Sequence, residues 1–435
     1  MAFSFRGGIH PPYNKDRTFA KDIEKLPDPA EVIIPMQQHI GAPCTPIVKP
    51  GDKVDCGQKI GECPPSSLCC PIHASVSGTV TKVEPRWHPN GTKVLSVVIE
   101  NDFEDRYSPE CVPFEGKPED LTPEEIIAMA KDAGIVGMGG AAFPLYAKLK
   151  TAIDKKVDVL IINGCECEPF ITCDHRAMIE YPRPIINGVK LIMQCLGLKN
   201  AIIAVEDNKP DAIDAMTLTA ENTGITVQPL RTKYPQGGEK QLIKALTGRE
   251  IPPGKLPMDM GCAVFNVDTC ASLDRKISRG VPLIRRVVTV SGEAVNSPKN
   301  ILAPIGTPYT ELFKYCEGFS QTPYKIINGG PMMGSAQHTL EAPVVKNTSA
   351  LLAFAGGEES FAENPACIRC GRCVSACPMR LTPNYIYMYA QKGDFEKCKA
   401  LNVQDCIECG CCSYSCPGRL YLVQAMRMAK SRIPR

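Results

Sequence analysis

The sequence lacks three features that would assign it to large functional classes. Lysine and arginine exceed aspartate and glutamate by only two residues (49 against 47), so a nucleic-acid-binding surface over the whole molecule is not expected. No run approaches the about 18 consecutive apolar residues of a membrane-spanning helix. The opening residues, MAFSFRGGIHPP, contain no apolar export signal. The 23 cysteines are therefore expected to be reduced thiols in the cytosol rather than disulfides.

Two cysteine runs near the end of the chain are its strongest motif. CIRCGRCVSACPMRL begins at Cys367 and recurs 39 residues later as CIECGCCSYSCPGRL, which begins at Cys406. Both runs read CxxCxxCxxxCP, the spacing of a two-cluster ferredoxin, in which three cysteines of one run and the fourth of the other hold each 4Fe-4S cube. Soft thiolates match iron–sulfur chemistry, and Pro378 and Pro417 end the two runs.

Two sets of four cluster ligands follow from this spacing. The first is Cys367, Cys370, Cys373 and Cys416, and the second is Cys406, Cys409, Cys412 and Cys377. A zinc site built from two CxxC pairs and a disulfide framework in a secreted chain are the alternatives, and the duplicated register with terminal prolines disfavours both. The additional Cys411 matches Arg372 of the first run and is predicted to be a bystander.

The length of 435 residues and the 44% hydrophobic content are enough for about three or four domains with separate cores. Residues 1–30 are polar and proline-punctuated, and we predict an arm that lies over another domain or subunit. Residues 31–110 contain short β segments, EVIIPM, PIVKPGDKV, ASVSGTVTKV and KVLSVVIE, separated by turn residues. The pattern VKPGDKVxxGQxIGE followed by PIHASVSGTV resembles the lipoyl and biotinyl carrier domain, a barrel-sandwich hybrid.

A carrier domain needs a lysine on the hairpin between its two halves, and this chain has none there. The stretch is GECPPSSLCCP, so no prosthetic group is attached and the module is predicted to be structural. Several cysteines fall in this region without regular ligand spacing and without an accompanying histidine pair. Packing is favoured over a metal site for these thiols, which are Cys44, Cys56, Cys63, Cys69 and Cys70.

A glycine-rich loop lies in the next region, residues 118–280. A capping box of Thr122 and Glu125 predicts a first helix, and GMGGAAFP (137–144) then leads into a second helix around Lys148. The glycines leave backbone amides uncovered beside a helix N-terminus, which is how a phosphate is usually held. The loop does not follow a strand, as the dinucleotide fingerprint requires, so by itself it is a weak signal.

Apolar strand candidates alternate with helical stretches through the rest of that region. VDVLIING, AIIAVED and ITVQPL precede helical segments near 183–196, 209–222 and 238–247. This alternation predicts a Rossmann-like parallel sheet covered on both faces, with ligands at the carboxyl ends of its strands. Three turns at such ends carry polar residues or glycines, NGCECEP, YPQGGE and FNVDT. Ordinary turn chemistry explains any one of them, whereas a nucleotide site explains all three.

Two further units complete the predicted architecture. Residues 284–335 contain strand segments and one helix near 308–317, which indicates a small β-grasp unit of the SLBB type without catalytic residues. Residues 358–435 hold the two cysteine runs, a helical insertion between them and a final helix after Pro417. The predicted fold class is a multidomain α/β chain, with a barrel-sandwich hybrid, a Rossmann-like domain, a β-grasp domain and a helical ferredoxin-like domain.

Together these segments resemble a known family over nearly the whole chain. FRGGIHPP, the lysine-less carrier-like module, the glycine loop, the β-grasp unit and the paired cysteine runs are similar to the C subunit of Rnf-type ferredoxin:NAD+ oxidoreductase complexes, which are membrane-associated ion pumps. The 137–270 region also resembles the flavin and NADH-binding subunit of respiratory complex I, whose motifs read GRGGAGFP, NADEGEP and NNVET. Met138 stands at the arginine of the first motif and Cys165 at the aspartate of the second.

The resemblance implies a flavin and a nicotinamide nucleotide in the α/β domain. FMN and NAD(H) are expected to contact Gly137, Gly139, Gly140, Phe143, Lys148, Asn163, Glu166, Glu168, Tyr234, Gly237, Gly238, Asn266 and Thr269. No side chain is expected to act as a catalytic acid or base, because the cofactors carry the redox chemistry.

The implied activity is that of an oxidoreductase component that exchanges hydride between NAD(H) and FMN and relays single electrons through two 4Fe-4S clusters. Partner subunits, among them a ferredoxin-like iron–sulfur subunit, translocate Na+ or H+ in this scheme, and the chain is expected to be peripheral at the cytoplasmic face of the cell membrane. Two alternatives remain. One is a flavin and iron–sulfur cobalamin reductase, which FRGGIHPP disfavours, and the other is a relay scaffold that has lost its nucleotide pocket.

Overall fold

The computed structural model describes residues 3–356 and 366–433. The predicted start of the cluster domain at 358 and the chain ends at 1–2 and 434–435 lie outside the described residues. Within them, an N-terminal arm is followed by four structural units in succession along the chain. None of the described helices combines the length and the apolar character that a bilayer crossing needs.

The N-terminal arm follows the surfaces of later domains and contains one short strand, β1 (Ile23–Lys25). Gly8 N donates a hydrogen bond to Ala376 O at 2.9 Å, in the cluster domain. Ile9 N donates to Tyr234 O at 2.9 Å, in the α/β domain. The arm therefore joins two domains that are distant in sequence, which confirms the prediction that it lies over other parts of the protein.

A module of two small sheets follows the arm. Its strands are β2 (Glu31–Pro35), β3 (Thr45–Pro46), β4 (Lys53–Val54), β5 (Lys59–Glu62), β6 (Ile72–His73), β7 (Gly78–Trp87) and β8 (Lys93–Asn101). One sheet has the order β2-β8-β7-β4 and the other has the order β3-β5-β6, with antiparallel pairing throughout. Side chains such as Val32, Ile60 and Val97 from both sheets share one core, as in the predicted barrel-sandwich hybrid.

The α/β unit alternates helices and strands. Its elements are α1 (Pro123–Asp132), α2 (Leu145–Asp154), β9 (Val159–Asn163), α3 (Cys173–Glu180), α4 (Pro182–Leu196), β10 (Ala201–Glu206), α5 (Pro210–Thr219), β11 (Ile225–Leu230), α6 (Glu239–Thr247), β12 (Cys262–Asn266) and α7 (Val267–Arg279). The Thr122 hydroxyl accepts a hydrogen bond from Glu125 N, and the Glu125 carboxylate accepts one from Thr122 N, which confirms the predicted capping box.

The sheet of this unit is parallel, with the strand order β11-β10-β9-β12. Alternate side chains point to opposite faces, so Leu160 and Ile162 enter the core beneath α1, α2, α4 and α7, whereas Ile161 packs on α6. The predicted parallel sheet with both faces covered is confirmed. The strand order reverses between β9 and β12, and this reversal opens a crevice at their carboxyl ends.

The third sheet belongs to the β-grasp unit. Its further elements are β13 (Arg285–Ser291), β14 (Lys299–Pro304), α8 (Tyr309–Tyr315), β15 (Lys325–Asn328), β16 (Ser335–Ala336) and β17 (Ala350–Phe354). The order β1-β14-β13-β17-β15-β16 includes β1 of the arm and β17, both outside the range 284–335. One face of this sheet packs on α8 through Phe313 and Leu312.

The cluster domain is helical. It contains α9 (Arg372–Ala376), α10 (Pro383–Gln391), α11 (Phe395–Ala400), α12 (Cys411–Tyr414) and α13 (Leu422–Arg432). Short 3-10 turns lie here and in the α/β unit, at Pro118–Asp120, Pro257–Met260 and Val403–Asp405. Ile386 and Met426 of α10 and α13 form a small core that also buries Cys398, so this cysteine of the insertion has a packing role.

Candidate functional site

Two cavities in the cluster domain each collect the four cysteines of one predicted set, three from one run and one from the other, and the inner cavity also borders Cys411. The outer cavity is lined by Cys367, Cys370, Cys373 and Cys416. The inner cavity is lined by Cys377, Cys406, Cys409 and Cys412. The two sets of four that the spacing predicts are thus brought together, and four thiols per cavity are the donor set that suits a 4Fe-4S cluster.

Matching turns shape the two cavities. Gly371 precedes α9 with a φ of 75°, and Gly410 precedes α12 with a φ of 81°, in the left-handed region that glycine enters without strain. Arg369 and Glu408 also have positive φ angles, 54° and 58°. Because these positions correspond in the two runs, the same backbone path curls the chain around each cavity.

The surroundings of the two cavities differ. Cys367 and Cys370 of the outer cavity are exposed to solvent. At the inner cavity, the Tyr234 hydroxyl of the α/β unit donates to Cys409 O at 2.8 Å. The arm closes another side, where a Cβ on Gly7 would lie 2.6 Å from a carbonyl oxygen of the inner cavity. The inner cavity therefore adjoins the α/β unit, and the outer cavity faces solvent.

The crevice of the α/β unit is bordered by two asparagines. Asn163 ends β9 and pairs in register with Asn266, which ends β12. Asn266 caps α7 by accepting a hydrogen bond from Asp268 N at 2.8 Å, and its Nδ2 donates to Asp174 Oδ2 at 2.7 Å. A switch point of this kind is where ligands of open α/β sheets bind.

The glycine loop, residues 137–140, lies beside the crevice. Met138 N donates to Thr269 Oγ1 at 3.0 Å, which ties the loop to the first turn of α7. Gly139 has a φ of 72°, which a residue with a side chain adopts only with strain. A Cβ on Gly140 would meet no atom within 4 Å, so the space in front of this exposed backbone is open.

A cation and a helix start adjoin the same loop. Gly137 N donates to Phe143 O at 2.8 Å and so closes the loop before α2 begins. The N-terminus of α2 has no side-chain cap, and the amide of Leu145, its first residue, donates to Ile135 O at 3.0 Å. Lys148 Nζ lies 3.1 Å from Glu239 Oε1 and 5.3 Å from the centroid of the Phe265 ring. Open glycines and a lysine suit the phosphate of a flavin nucleotide.

The turn before α6 forms another wall of the crevice. Asn163 Nδ2 donates to Gly237 O at 2.9 Å, and Gly238 precedes the first turn of α6. The neighbouring Gln236 is fully buried, and neither atom of its side-chain amide has a hydrogen-bond partner among the described residues. Because buried amides are nearly always paired, the orphaned Gln236 fits a site that a ligand or water completes.

The two glutamates predicted to contact the nucleotide both accept hydrogen bonds from backbone amides of the protein. Glu166 accepts two amide hydrogen bonds at the start of α3, at 2.6 and 3.4 Å. Glu168 accepts hydrogen bonds from the amides of Met332 and Met333, at 3.0 and 2.9 Å, in the turn between β15 and β16. Burial raises the pKa of Glu168 to about 7. Contact of either carboxylate with a ribose hydroxyl stays a prediction.

Tyr234 links the crevice to the inner cavity. It is fully buried, and its hydroxyl lies 3.5 Å from Glu168 Oε1 besides donating to Cys409 O. The turn that contains Tyr234 continues to Gly237 and the crevice wall. One side chain thus contacts both the predicted nucleotide site and the predicted cluster site.

Two charged groups of the site come from outside the motifs and were missed in the sequence. Arg286 of β13 is buried and donates to Asp268 and to Met138 Sδ, so the β-grasp unit supplies a guanidinium beside the glycine loop. Lys15 of the arm lies 3.6 Å from the Glu166 carboxylate. No local pattern marks either residue, because each partner is distant in sequence.

Asp174→Asn is expected to stabilise the protein at alkaline pH and to lose that advantage in acid. Burial, together with the Glu166 and Asp268 carboxylates, raises the pKa of Asp174 to about 7 from its ordinary 3.8. The folded state therefore binds this proton more tightly than the unfolded state does, so the stability Asp174 contributes is complete below about pH 4 and is lost as the pH rises through about 7.

The measurement is the melting temperature by anaerobic calorimetry at several pH values. Between about pH 5.5 and pH 8 the wild-type value should fall more steeply than that of the variant. Asp214→Asn, at an exposed position of α5, is the matched control and should follow the wild type. Parallel curves for wild type and Asp174→Asn would contradict the prediction.

Family models match four successive segments of the chain. They are the RnfC barrel sandwich hybrid domain at residues 3–104, the Nuo51 FMN-binding domain at 130–275, the SLBB domain at 287–336 and a 4Fe-4S dicluster domain at 360–425. The order and type of these domains confirm the predicted fold class. They also support FMN and iron–sulfur clusters as the cofactors.

Relatives match the chain over its whole length. The C subunit of the Na(+)-translocating ferredoxin:NAD(+) oxidoreductase complex of Acetobacterium woodii is 47% identical over 431 residues, which cover 99% of this chain and 97% of the relative. The C subunit of the proton-translocating ferredoxin:NAD(+) oxidoreductase complex of Clostridium ljungdahlii is 46% identical over 432 residues, which cover 99% of this chain and 94% of the relative.

Among solved structures, an NAD+-reducing NiFe-hydrogenase in the H2-reduced state has a TM-score of 0.52 at 17% identity, over 75% of this chain and 65% of that one. At this identity the likeness concerns the fold alone.

Proposed function

Because the chain belongs to the family of C subunits of ion-translocating ferredoxin:NAD+ oxidoreductase complexes, we propose that its crevice binds FMN and NAD(H) and that its two cavities hold 4Fe-4S clusters. The protein transfers electrons between the nicotinamide nucleotide and the rest of the complex. The observation that carries the proposal is the hydrogen bond from the Tyr234 hydroxyl, at the crevice wall, to Cys409 O, at the inner cavity.

The residues of the crevice bind and orient. When bound, a flavin supplies the conversion between hydride exchange with a nicotinamide and single-electron exchange with iron–sulfur clusters. The glycine loop and Lys148 would hold its phosphate, while Asn163 and the turn at Gly237 would border its ring. Asn266 fixes the loop indirectly, through α7 and Thr269. No residue of this set needs to give or take a proton.

The two cavities have different tasks in this scheme. The inner cavity, beside Tyr234, faces the crevice, and the outer cavity, with exposed Cys367 and Cys370, faces the partner. Apolar side chains are exposed in the same domain, with Ile368 at 69% and Tyr414 at 52% exposure. An exposed cluster edge with apolar neighbours suits the ferredoxin-like iron–sulfur subunit of the complex.

Ion translocation is assigned to partner subunits. The relatives from Acetobacterium woodii and Clostridium ljungdahlii are nearly equal in identity to this chain, yet one is named for Na+ and the other for protons. We therefore place the choice of ion outside this protein. In this scheme the chain sits peripherally, at the cytoplasmic face of the membrane, where NAD(H) and ferredoxin are found.

The test is anaerobic purification of the full chain with analysis of flavin, iron and sulfide. We expect about one FMN and about eight irons per chain, together with NADH-dependent reduction of an artificial electron acceptor. Clusters without flavin and without NADH oxidation would instead identify a relay scaffold. NADH-dependent reduction of a cobalamin at a rate above that of ferredoxin would identify a cobalamin reductase.

Gly140→Val is expected to remove the flavin and leave the clusters. A Cβ at this position meets nothing within 4 Å of the chain, so the substitution clashes only with a ligand in the open space. Flavin content and NADH oxidation should fall by about tenfold or more, which corresponds to about 1.4 kcal/mol or more of binding free energy. Iron content and melting temperature of the flavin-free chain should be unchanged, and wild-type flavin content in the variant would rule out this position for the ligand.

A further inference from the structure

Three potential metal ligands meet in the barrel-sandwich module, outside the redox path, and a further cysteine of the module lies near them. The ligand atoms of His39, Cys44 and Cys69 lie within 4.8 Å of one another, and all three residues are buried. The Cys44 and Cys69 sulfurs are 3.3 Å apart, and Cys63 lies in the same module, directly after β5. We propose that His39, Cys44, Cys63 and Cys69 form a structural zinc site with three thiolates and one imidazole.

The donor set and its spacing suit tetrahedral zinc. Structural zinc sites take three cysteines and one histidine, and zinc–sulfur bonds of about 2.3 Å place ligand sulfurs about 3.8 Å apart. The observed Cys44–Cys69 separation of 3.3 Å therefore has to open by only about half an ångström. Soft thiolates favour zinc over magnesium or calcium, which prefer oxygen ligands.

The imidazole of His39 is oriented as in metal sites. Its Nδ1 lies 3.2 Å from Ile40 O, so Nδ1–H donates to a backbone carbonyl and leaves the lone pair on Nε2. Nε2 now accepts a hydrogen bond from Cys70 N at 3.0 Å, which a metal would replace.

A buried lysine supplies the charge balance. Binding of one Zn²⁺ converts three thiols to thiolates and releases three protons to solvent, so the loaded site carries one net negative charge. Lys346 is 1% exposed, and its Nζ donates to Pro71 O and Gly134 O at 2.8 and 2.7 Å. Among the described residues no carboxylate forms an ion pair with it. A zinc centre with a net negative charge close to Lys346 would compensate the positive charge of this buried side chain.

The zinc site would connect short strands and loops that have little stability on their own. His39 and Cys44 lie between β2 and β3, Cys63 follows β5, and Cys69 lies before β6. The strands β3 and β6 have only two residues each, so their sheet gains little from backbone hydrogen bonds. The same segment reaches the residues between the glycine loop and α2, because Ile40 N donates to Ala142 O at 3.3 Å. A zinc ion bound at this site would therefore stiffen the segment that supports the glycine loop.

The first test is metal analysis of the full chain, purified anaerobically from cells grown with added zinc, combined with zinc K-edge X-ray absorption. We expect about one zinc per chain beyond the cluster iron, with about three sulfurs at 2.3 Å and one nitrogen at 2.0 Å. A shell of four sulfurs would mean zinc in the cluster cavities and would overturn the proposal. Zinc well below one per chain, or a disulfide between Cys44 and Cys69, would overturn it as well.

The second test uses substitutions with a matched control. Cys44→Ala and Cys69→Ala should each lower the zinc content by about tenfold or more without a change in iron or flavin, as expected for removal of one ligand of four. Cys56→Ala removes a buried thiol of the same module whose sulfur faces Ser75 O at 3.4 Å, outside the site, and should keep its zinc. Equal loss of zinc in all three variants would refute the assignment. Since the absorption experiment needs only the wild type, failure of a variant to fold leaves the proposal open to refutation.

Discussion

Cys416→Ala should remove one cluster, and the lost cluster should be the one held by the other cysteine run. Cys416 lines the outer cavity with Cys367, Cys370 and Cys373, although it follows Cys412 by only four residues in sequence. Iron and sulfide should fall from about eight to about four per chain, because a 4Fe-4S cube with three protein thiolates is not retained stably. Flavin should stay, while electron delivery to the ferredoxin-like partner should stop.

Double substitutions identify which cluster has been lost. Cys367→Ala added to Cys416→Ala should remove no further iron, because both residues line the outer cavity. Cys406→Ala added to Cys416→Ala should remove the remaining about four irons, because Cys406 lines the inner cavity. If the second pair keeps a cluster and the first does not, the assignment across the two runs is wrong.

Cys411→Ala is the control within the same run. Cys411 also borders the inner cavity, but its sulfur lies 3.9 Å from Tyr234 O, where it packs between the cluster domain and the α/β unit. We expect iron content to stay at the wild-type level. Loss of about four irons would instead make Cys411 a ligand in place of a neighbour.

Arg286→Met should produce the largest loss of stability of any substitution outside the cysteines. Arg286 is 1% exposed and pairs with Asp268, whose side chain is also buried. Although burial favours the neutral acid, Arg286 and Arg275 hold the pKa of Asp268 below its ordinary value. Removing one partner of a buried pair leaves an uncompensated charge, which costs about 3 kcal/mol or more of the free energy of unfolding.

The expected consequence is a melting temperature lower by roughly 5–10 °C, measured by anaerobic calorimetry of the flavin-free chain. Flavin affinity should fall too, because Arg286 also contacts Met138 of the glycine loop. Arg275→Met is the matched control. Its side chain pairs with the same Asp268 at 2.7 Å but is 30% exposed, so we expect a loss of about 1 kcal/mol or less.

A further substitution separates the effect of the unpaired Asp268 charge from the effect of losing the Arg286 side chain. In the Arg286→Met background, Asp268→Asn removes the uncompensated carboxylate and should restore part of the lost stability. If Asp268→Asn instead lowers stability by the same amount in both backgrounds, the two residues act independently and the ion pair has no measurable role.

Much of the fold follows from local patterns. The capping box at Thr122 and Glu125 and the run of buried apolar residues at 160–162 need only neighbouring residues, and the structure contains both. The two cysteine sets were predictable for the same reason, because each run repeats a spacing that bends the backbone around one centre. The family resemblance added the candidate nucleotide residues.

The rest depends on chain segments that are distant in sequence. Lys15 reaches Glu166 across 151 positions, and no feature of the arm marks it as part of the site. Glu166 and Glu168 look alike in the NGCECEP turn. The Glu166 carboxylate accepts a hydrogen bond from an amide at the start of α3, whereas the Glu168 carboxylate accepts hydrogen bonds from amides of the turn after β15. Their different partners arise from packing between domains, which local spacing does not encode.

The sequence by itself predicted iron–sulfur clusters, the two sets of cluster cysteines and the order of the domains, because these depend on spacing and periodicity within short segments, whereas FMN and NAD(H) were implied by the family resemblance. Only the tertiary structure decided that Tyr234 joins the crevice to the inner cavity, that Arg286 reaches the glycine loop, and that His39, Cys44 and Cys69 meet. The physical reason is that sheet pairing and domain contacts, rather than neighbouring residues, bring these groups together.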